Sequence, residues 1–165
     1  MDRFVSNTIN RVDKKGRVSI PAPFRLVLGS QPVLHTILSV DYPVVEAGGP
    51  QFMDGLRRRL DLMDPLSEEF EVWSFYLEGD AAELKIDPEG RIALTDHLRA
   101  HAGISDEVAF VGRGNFFQLW EPEAFRAYRE MARAKVRDLR RMLGNSARQT
   151  VSPAGWTGPG EEQER

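Results

Sequence analysis

The chain states one segment twice. Arg11-Val12-Asp13-Lys14-Lys15-Gly16-Arg17-Val18-Ser19-Ile20 returns as Lys85-Ile86-Asp87-Pro88-Glu89-Gly90-Arg91-Ile92-Ala93-Leu94, at an offset of 74 residues. The match runs without a gap through Arg25 and Arg99 to Gly29 and Gly103. An internal repeat constrains the architecture before any single motif does. Two copies are too few for a solenoid, which stacks at least three units to bury a continuous core. A pair instead predicts two halves packed face to face about a pseudo-twofold axis.

Each copy carries the same succession of local signals. Alternating apolar and polar residues in Thr8–Val12 and Leu84–Ile86 predict a half-buried strand. A glycine turn and a second alternating stretch, Arg17–Ile20 or Arg91–Leu94, complete a hairpin. A short helix follows, opened by Pro21 and Pro23 or capped by Thr95 or Asp96, and ended by Gly29 or Gly103. Two strand-like stretches come next, Val33–Val40 with Tyr42–Glu46 and Glu107–Gly112 with Phe116–Trp120. The first half then has helices over Gln51–Leu62 and from Asp64-Pro65 to Leu77. The second half has one from Pro122 to Leu143, stopping at Gly144. Isolated hairpins are marginal, so strands of both halves are expected to form one compact barrel with helices around it. The expected division is 1–80, 81–144 and a disordered tail over 145–165 rich in Gly, Pro, Ser, Gln and Glu.

Bulk properties narrow the function classes. With no cysteine there is no disulfide framework and no thiolate metal site, which fits a reducing cytoplasm. The N-terminus lacks the apolar stretch of a secretory signal, and no apolar run approaches a membrane span. A soluble, cytoplasmic protein without a membrane partner is expected. The formal net charge is −3, but it is uneven. Residues 1–35 carry six basic and two acidic side chains, whereas residues 36–80 carry three basic and ten acidic. A local basic patch, not the total, makes an electrostatic footprint for nucleic acid.

The repeated Asp-x-x-Gly-Arg unit has a purely structural reading. Asp13 or Asp87 accepts backbone N–H bonds, Gly16 or Gly90 supplies a positive φ, and Arg17 or Arg91 pairs with the Asp. That reading leaves Arg11, Lys14, Lys15 and Arg17 gathered on one hairpin without a reason. A surface that tolerates four cations in seven residues suits an anion, and β-ribbons enter the DNA major groove. The second copy retains Lys85 and Arg91 but has Pro88-Glu89 where the first has Lys14-Lys15.

Other chemistries fit less well. Asp13 and Asp87 as a proton-sharing pair would be neutralised by Arg17 and Arg91, and no catalytic residue, cofactor or small-molecule substrate is assigned. His97 and His101 are four apart on a helix, but no HExxH glutamate accompanies them, so they read as solvated or capping histidines rather than metal ligands. Trp73 and Trp120 read as core anchors.

Asp13-Lys14-Lys15-Gly16-Arg17-Val18-Ser19-Ile20-Pro21 with Phe24-Arg25 resembles the first signature of the MraZ transcriptional regulators. Asp87-x-x-Gly90-Arg91-Ile92, Leu98-Arg99, Ala102-Gly103-Ile104, Val108-x-Phe110-Val111-Gly112 and Phe117-Gln118-Leu119-Trp120 resemble the second. The resemblance covers roughly residues 1 to 143. It implies an α+β fold, a tandem pseudo-twofold AbrB-like swapped-hairpin β-barrel with peripheral helices. It implies a sequence-specific, nucleoid-associated regulator that binds double-stranded DNA at short direct repeats upstream of the cell-division and cell-wall genes. It also implies a homo-oligomeric ring. Lys15 and Arg17 would carry DNA contact, with Arg11 and Lys14 as neighbours. The chain departs from the family in lacking a glycine within Phe4-Val5-Ser6-Asn7, and Glu89 weakens the second hairpin toward phosphate. AbrB-like barrels also serve as antitoxins, but the tail here is short and lacks an apolar stripe to mask a toxin. A pure assembly protein with a merely solvated hairpin is the remaining alternative.

Overall fold

In a computed structural model of the chain, residues 2–151 are described, with side chains through Asn145. The strands are β1 (Asn7–Arg11), β2 (Arg17–Ser19), β3 (Val33–Leu38), β4 (Val45–Gly48), β5 (Ala82–Lys85), β6 (Arg91–Ala93), β7 (Glu107–Gly112) and β8 (Phe117–Trp120). The helices are α1 (Ala22–Leu28), α2 (Pro50–Asp61), α3 (Glu68–Ser74), α4 (Asp96–Ala102) and α5 (Pro122–Val151), with a π-helical turn at Phe75–Gly79. The chain forms a body through Phe125 and a second unit from Arg126 onward.

The two halves of the body are interleaved. Six strands form one antiparallel sheet in the order β1-β7-β8-β4-β3-β5, and β2 pairs with β6 in a second sheet. Exchanging each strand for its repeat equivalent reverses the six-stranded order and leaves it otherwise unchanged. The register obeys the same symmetry. Arg11 lies opposite Glu107, and their equivalents Lys85 and Val33 lie opposite one another. Val18 lies opposite its own equivalent Ile92, which places the pseudo-twofold axis through that pair. Hydrogen bonding does not close a barrel. The sheet ends at β1 and β5, because β2 and β6 are three residues long and pair with each other. The α+β class and the twofold organisation are therefore present, while the closed barrel is not.

Apolar alternation explains where the core lies. Val18, Ile20, Ile92 and Leu94 from the two hairpins, Phe24 from α1 and Leu98 from α4 fill a cluster against one face of the large sheet. Phe117 sits at its centre, with ring centroids 4.9 Å from Phe4 and 5.0 Å from Phe24. The opposite sheet parity sends Ile37 into a second cluster with Phe52, Met53 and Leu60 of α2 and Leu77. A buried Gln118 bridges the central strands: its amide donates to Glu46 (3.1 Å) and its oxygen accepts from Trp120 Nε1 (3.0 Å).

Local details differ from the sequence expectation where side chains rewrote the turns. Ser39 Oγ accepts from the N–H groups of Asp41 and Tyr42, so that segment is a turn and β4 begins at Val45 instead of Tyr42. Ser67 rather than Asp64-Pro65 caps α3, accepting from the Phe70 N–H at 3.1 Å. Thr95 is the cap of α4, and Gly103 ends it in the left-handed conformation. Trp120 is a core residue at 3% exposure, but Trp73 at 43% is not. Helix α5 continues through Gly144 to Val151, since a glycine inside a helix costs only about 1 kcal/mol relative to alanine. The expected disordered tail thus gives way to helix as far as 151, and its remainder lies outside the described residues. Ser6 takes the left-handed backbone, φ 77°.

Two outcomes follow. Because β1 pairs only with β7 and β5 only with β3, fragments 1–80 and 81–145 should each give collapsed, poorly dispersed NMR spectra alone. A left-handed non-glycine residue is strained by roughly 1 kcal/mol, so Ser6→Gly should raise stability by up to about that amount in urea titrations.

Candidate nucleic-acid interface

The two repeated turns have one construction. In the first, Asp13 Oδ1 accepts from the N–H groups of Lys15 and Arg17, each at 2.9 Å, and Oδ2 accepts from Arg17 Nε at 2.8 Å. In the second, Asp87 Oδ1 accepts from the N–H groups of Glu89 and Arg91 at 2.9 Å, and Oδ2 from Arg91 Nε at 2.8 Å. Gly16 and Gly90 close the loops at φ 80° and 78°, which side-chain-bearing residues adopt only with strain. The Arg17 N–H, then the Arg17 side chain and the Lys15 N–H, hold Asp13 below the usual carboxylate range. The Arg91 N–H, the Arg91 side chain and the Glu89 N–H do the same for Asp87. These bonds define the structural role of Asp13, Gly16, Asp87 and Gly90. They also separate the two carboxylates chemically, since each is paired to its own guanidinium instead of sharing a proton with the other.

The strands flanking each turn do not pair with each other as the alternation predicts: β1 goes to β7 and β5 to β3, while β2 pairs with β6 and so puts both turns at the ends of one two-stranded ribbon. The Leu94 N–H donates to Gly16 O and the Ile20 N–H to Gly90 O, both at 2.9 Å, so each turn is seated on the other repeat. Val18 and Ile92 are buried, and strand alternation gives the outer face to Arg17, Ser19, Arg91 and Ala93. Arg17 and Arg91 are half-buried by their Asp partners.

Beyond this frame the repeats diverge in charge. Lys14 and Lys15 are exposed at the first turn and Arg11 at the end of β1, and none has a carboxylate within ion-pair distance among the described residues. Lys85 occupies the position of Arg11 at the end of β5. Arg91 has a second carboxylate, Glu89, at 3.4 Å from Nη2. From 11 to 17 there are four cations against one anion, and from 85 to 91 two against two. One turn is cationic and rigid; its twin is neutral.

Sequence reasoning missed what the repeated Arg25 and Arg99 do. Arg25 crosses to the second hairpin, where Nη1 donates to Glu89 O at 3.3 Å and the side chain lies so close that a Cβ on Gly90 would fall 2.4 Å from Arg25 Cδ. Arg99 likewise approaches the first turn, where a Cβ on Gly16 would fall 3.6 Å from its Nη1, but its hydrogen bonds go to the Ile104–Ser105 carbonyls, with Nη2 2.7 Å from Ser105 O. Their identity in both copies was the signal. The histidines do not converge on a site: His97 lies 4.0 Å from Asp80, and His101 Nε2 is buried without a partner. Among the described residues no group of three or more His, Asp or Glu side chains is placed to hold a metal ion.

Comparison with known proteins follows this geometry. Residues 77–144 match the family model described as "MraZ protein, putative antitoxin-like". The chain is 46% identical over 157 residues to the transcriptional regulator MraZ of Azorhizobium caulinodans, covering 94% of this chain and all of that protein. It is 46% identical over 147 residues to that of Beijerinckia indica (88% of this chain, 90% of the relative). For Rhizobium meliloti the identity is 40% over 146 residues (87% and 97%).

The lowered carboxylate values set the direction of an acid effect. A group whose folded pKa is depressed contributes stability that is present above its unfolded value, about 3.9, and is lost as pH falls through the folded value. Thermal melts should therefore show stability falling below about pH 4. The Asp13→Asn, Asp87→Asn double variant should be less stable at neutral pH and show a flatter acid limb.

Proposed function

The chain belongs to the MraZ family of transcriptional regulators, and from that premise we propose that it binds double-stranded DNA sequence-specifically through its first hairpin. It acts as a regulator and not as an enzyme. The observation that carries the reading is the pairing of a rigid turn with uncompensated charge. The Asp13 cap fixes the backbone from which exposed Lys14 and Lys15 project, beside Arg17 and Arg11. A preorganised cationic turn loses little entropy on meeting phosphate, and the β2–β6 ribbon that carries it has the form of a β-ribbon that enters a major groove. The interleaved strands support reading the body as the swapped-hairpin arrangement of AbrB-like folds. None of the described helices is long and apolar enough to cross a membrane, in keeping with a cytoplasmic, nucleoid-associated regulator.

One ribbon neutralises only a few phosphates, so a single chain binds weakly at physiological salt. A ring of copies presents several identical hairpins and gains effective concentration wherever their spacing fits the DNA. Neighbours in a ring are related by rotation, so the matching operator is a set of short direct repeats about one helical turn apart. The proposed targets are such repeats upstream of cell-division and cell-wall genes, as the family resemblance implies. Lys85 and Arg91 are secondary contacts, because Glu89 would face phosphate where Lys15 does in the first copy.

The Lys14→Ala, Lys15→Ala variant tests the contact without breaking the Asp13–Arg17 bond. It should weaken binding to an operator fragment and reduce the salt slope by about one for each lost phosphate contact. Arg17→Ala should harm binding more than Arg91→Ala at the same salt concentration. Unchanged affinity in the folded double-lysine variant contradicts the assignment. Affinity should rise steeply from one direct repeat to three, and equal affinities would remove the ring from the mechanism.

A further inference from the structure

Two surfaces of this chain carry opposite charge and unburied apolar side chains. Residues 61–80, spanning the end of α2, α3 and the π-helical turn, hold seven carboxylates and no basic side chain. In the same segment Leu62, Leu66 and Phe75 are 87%, 94% and 72% exposed. Beside it lies a groove of about 250 Å³ walled by Leu56, Leu60, Met63 and Trp73, and carrying the Asp41 and Glu46 carboxylates. Arg59 is the cation among its lining residues. On α5 the signs reverse. Residues 131–145 hold five basic side chains and one acidic, and Met131, Val136, Leu139 and Met142 are exposed. At 100° per residue these four fall within one broad stripe, the pattern of a helix face that normally packs against something.

We propose that α5 of one copy docks by this stripe into the acidic α2–α3 groove of a second copy. The inference rests on the ring assembly proposed above and names the surfaces that would build it. Charge selects this occupant over the nearest alternative. Two α5 helices side by side would each bring a net positive charge and repel, whereas α5 on the α2–α3 face sets its five cations against Asp61, Asp64, Glu68, Glu69 and Glu71, Glu78 being already held by Arg57 and Asp80 lying beside His97. The apolar stripe supplies the non-directional attraction, and the flanking charges fix register and partner. Because the two faces differ, the contact is head-to-tail and propagates from copy to copy until rotation closes it. The first hairpin takes no part in the contact.

A charge-reversal pair tests this on the full chain by light scattering coupled to gel filtration. The wild-type protein should run at a multiple of 18.7 kDa. Asp61→Lys with Glu71→Lys reverses the groove face, and Lys135→Glu with Arg140→Glu reverses the helix. Each reversed chain alone should fall to the single-chain mass, and an equimolar mixture should reassemble, because each altered face then meets its complement. Reversed chains that keep the wild-type mass overturn the docking and leave the ring standing. A wild-type protein that stays at 18.7 kDa across the micromolar range overturns the ring as well. A single-chain wild type that floats with phosphatidylglycerol vesicles through α5 replaces the second copy by a membrane and likewise overturns the proposal.

Discussion

The structure depends on the inability of either repeat to complete its own sheet. The outer strand of each half finds its partner only in the other, β1 on β7 and β5 on β3. The hairpin strands β2 and β6 can pair only across the pseudo-twofold axis at Val18 and Ile92. An unpaired buried strand would leave a row of backbone groups without partners, at roughly 1–3 kcal/mol for each group. Each half therefore folds by borrowing hydrogen bonds from the other. The turns inherit the same dependence, since Gly16 O is capped by the Leu94 N–H and Gly90 O by the Ile20 N–H.

On this symmetric frame, the proposed DNA contact comes from where symmetry fails. The carboxylate-capped turns superimpose bond for bond, so their geometry cannot tell the two hairpins apart. Lys14 and Lys15 against Pro88 and Glu89 can. The repeat carries two rigid tips, of which one is cationic and the other has an internal carboxylate beside Arg91, with Arg25 over its glycine. The bonds that make Asp13 and Arg17 structural also aim the neighbouring lysines, so structural and functional readings of the motif are two aspects of one turn.

Much of this was legible in the residues. The repeat set the twofold relation, alternation and strand-like runs placed seven of the eight strands to within two residues at each boundary, and the Asp-x-x-Gly-Arg spacing specified the turn bonds. What was hidden was set by non-local contacts or by small polar side chains. Nothing local says that β1 pairs with β7, or that three-residue strands leave the barrel unclosed. Ser39 bent the chain where alternation continued, so β4 starts three residues late. Gly144 reads as a stop signal but lies within a helix already long enough to carry it. Trp73 seemed a core residue by type, whereas its position beside the acidic groove leaves it partly open.

The lysines allow the central claim, one contacting hairpin on a symmetric scaffold, to be read directly. The chain has four: Lys14 and Lys15 on the first tip, Lys85 before the second, and Lys135 on α5. The measurement is acetylation of each lysine by mass spectrometry, with and without a three-repeat operator at low salt. The account predicts strong protection of Lys14 and Lys15 by DNA and weaker protection of Lys85, with Lys135 modified at the same rate in both states. Protection of Lys85 equal to that of Lys15, or protection of Lys135 with the tip lysines unprotected, would contradict it.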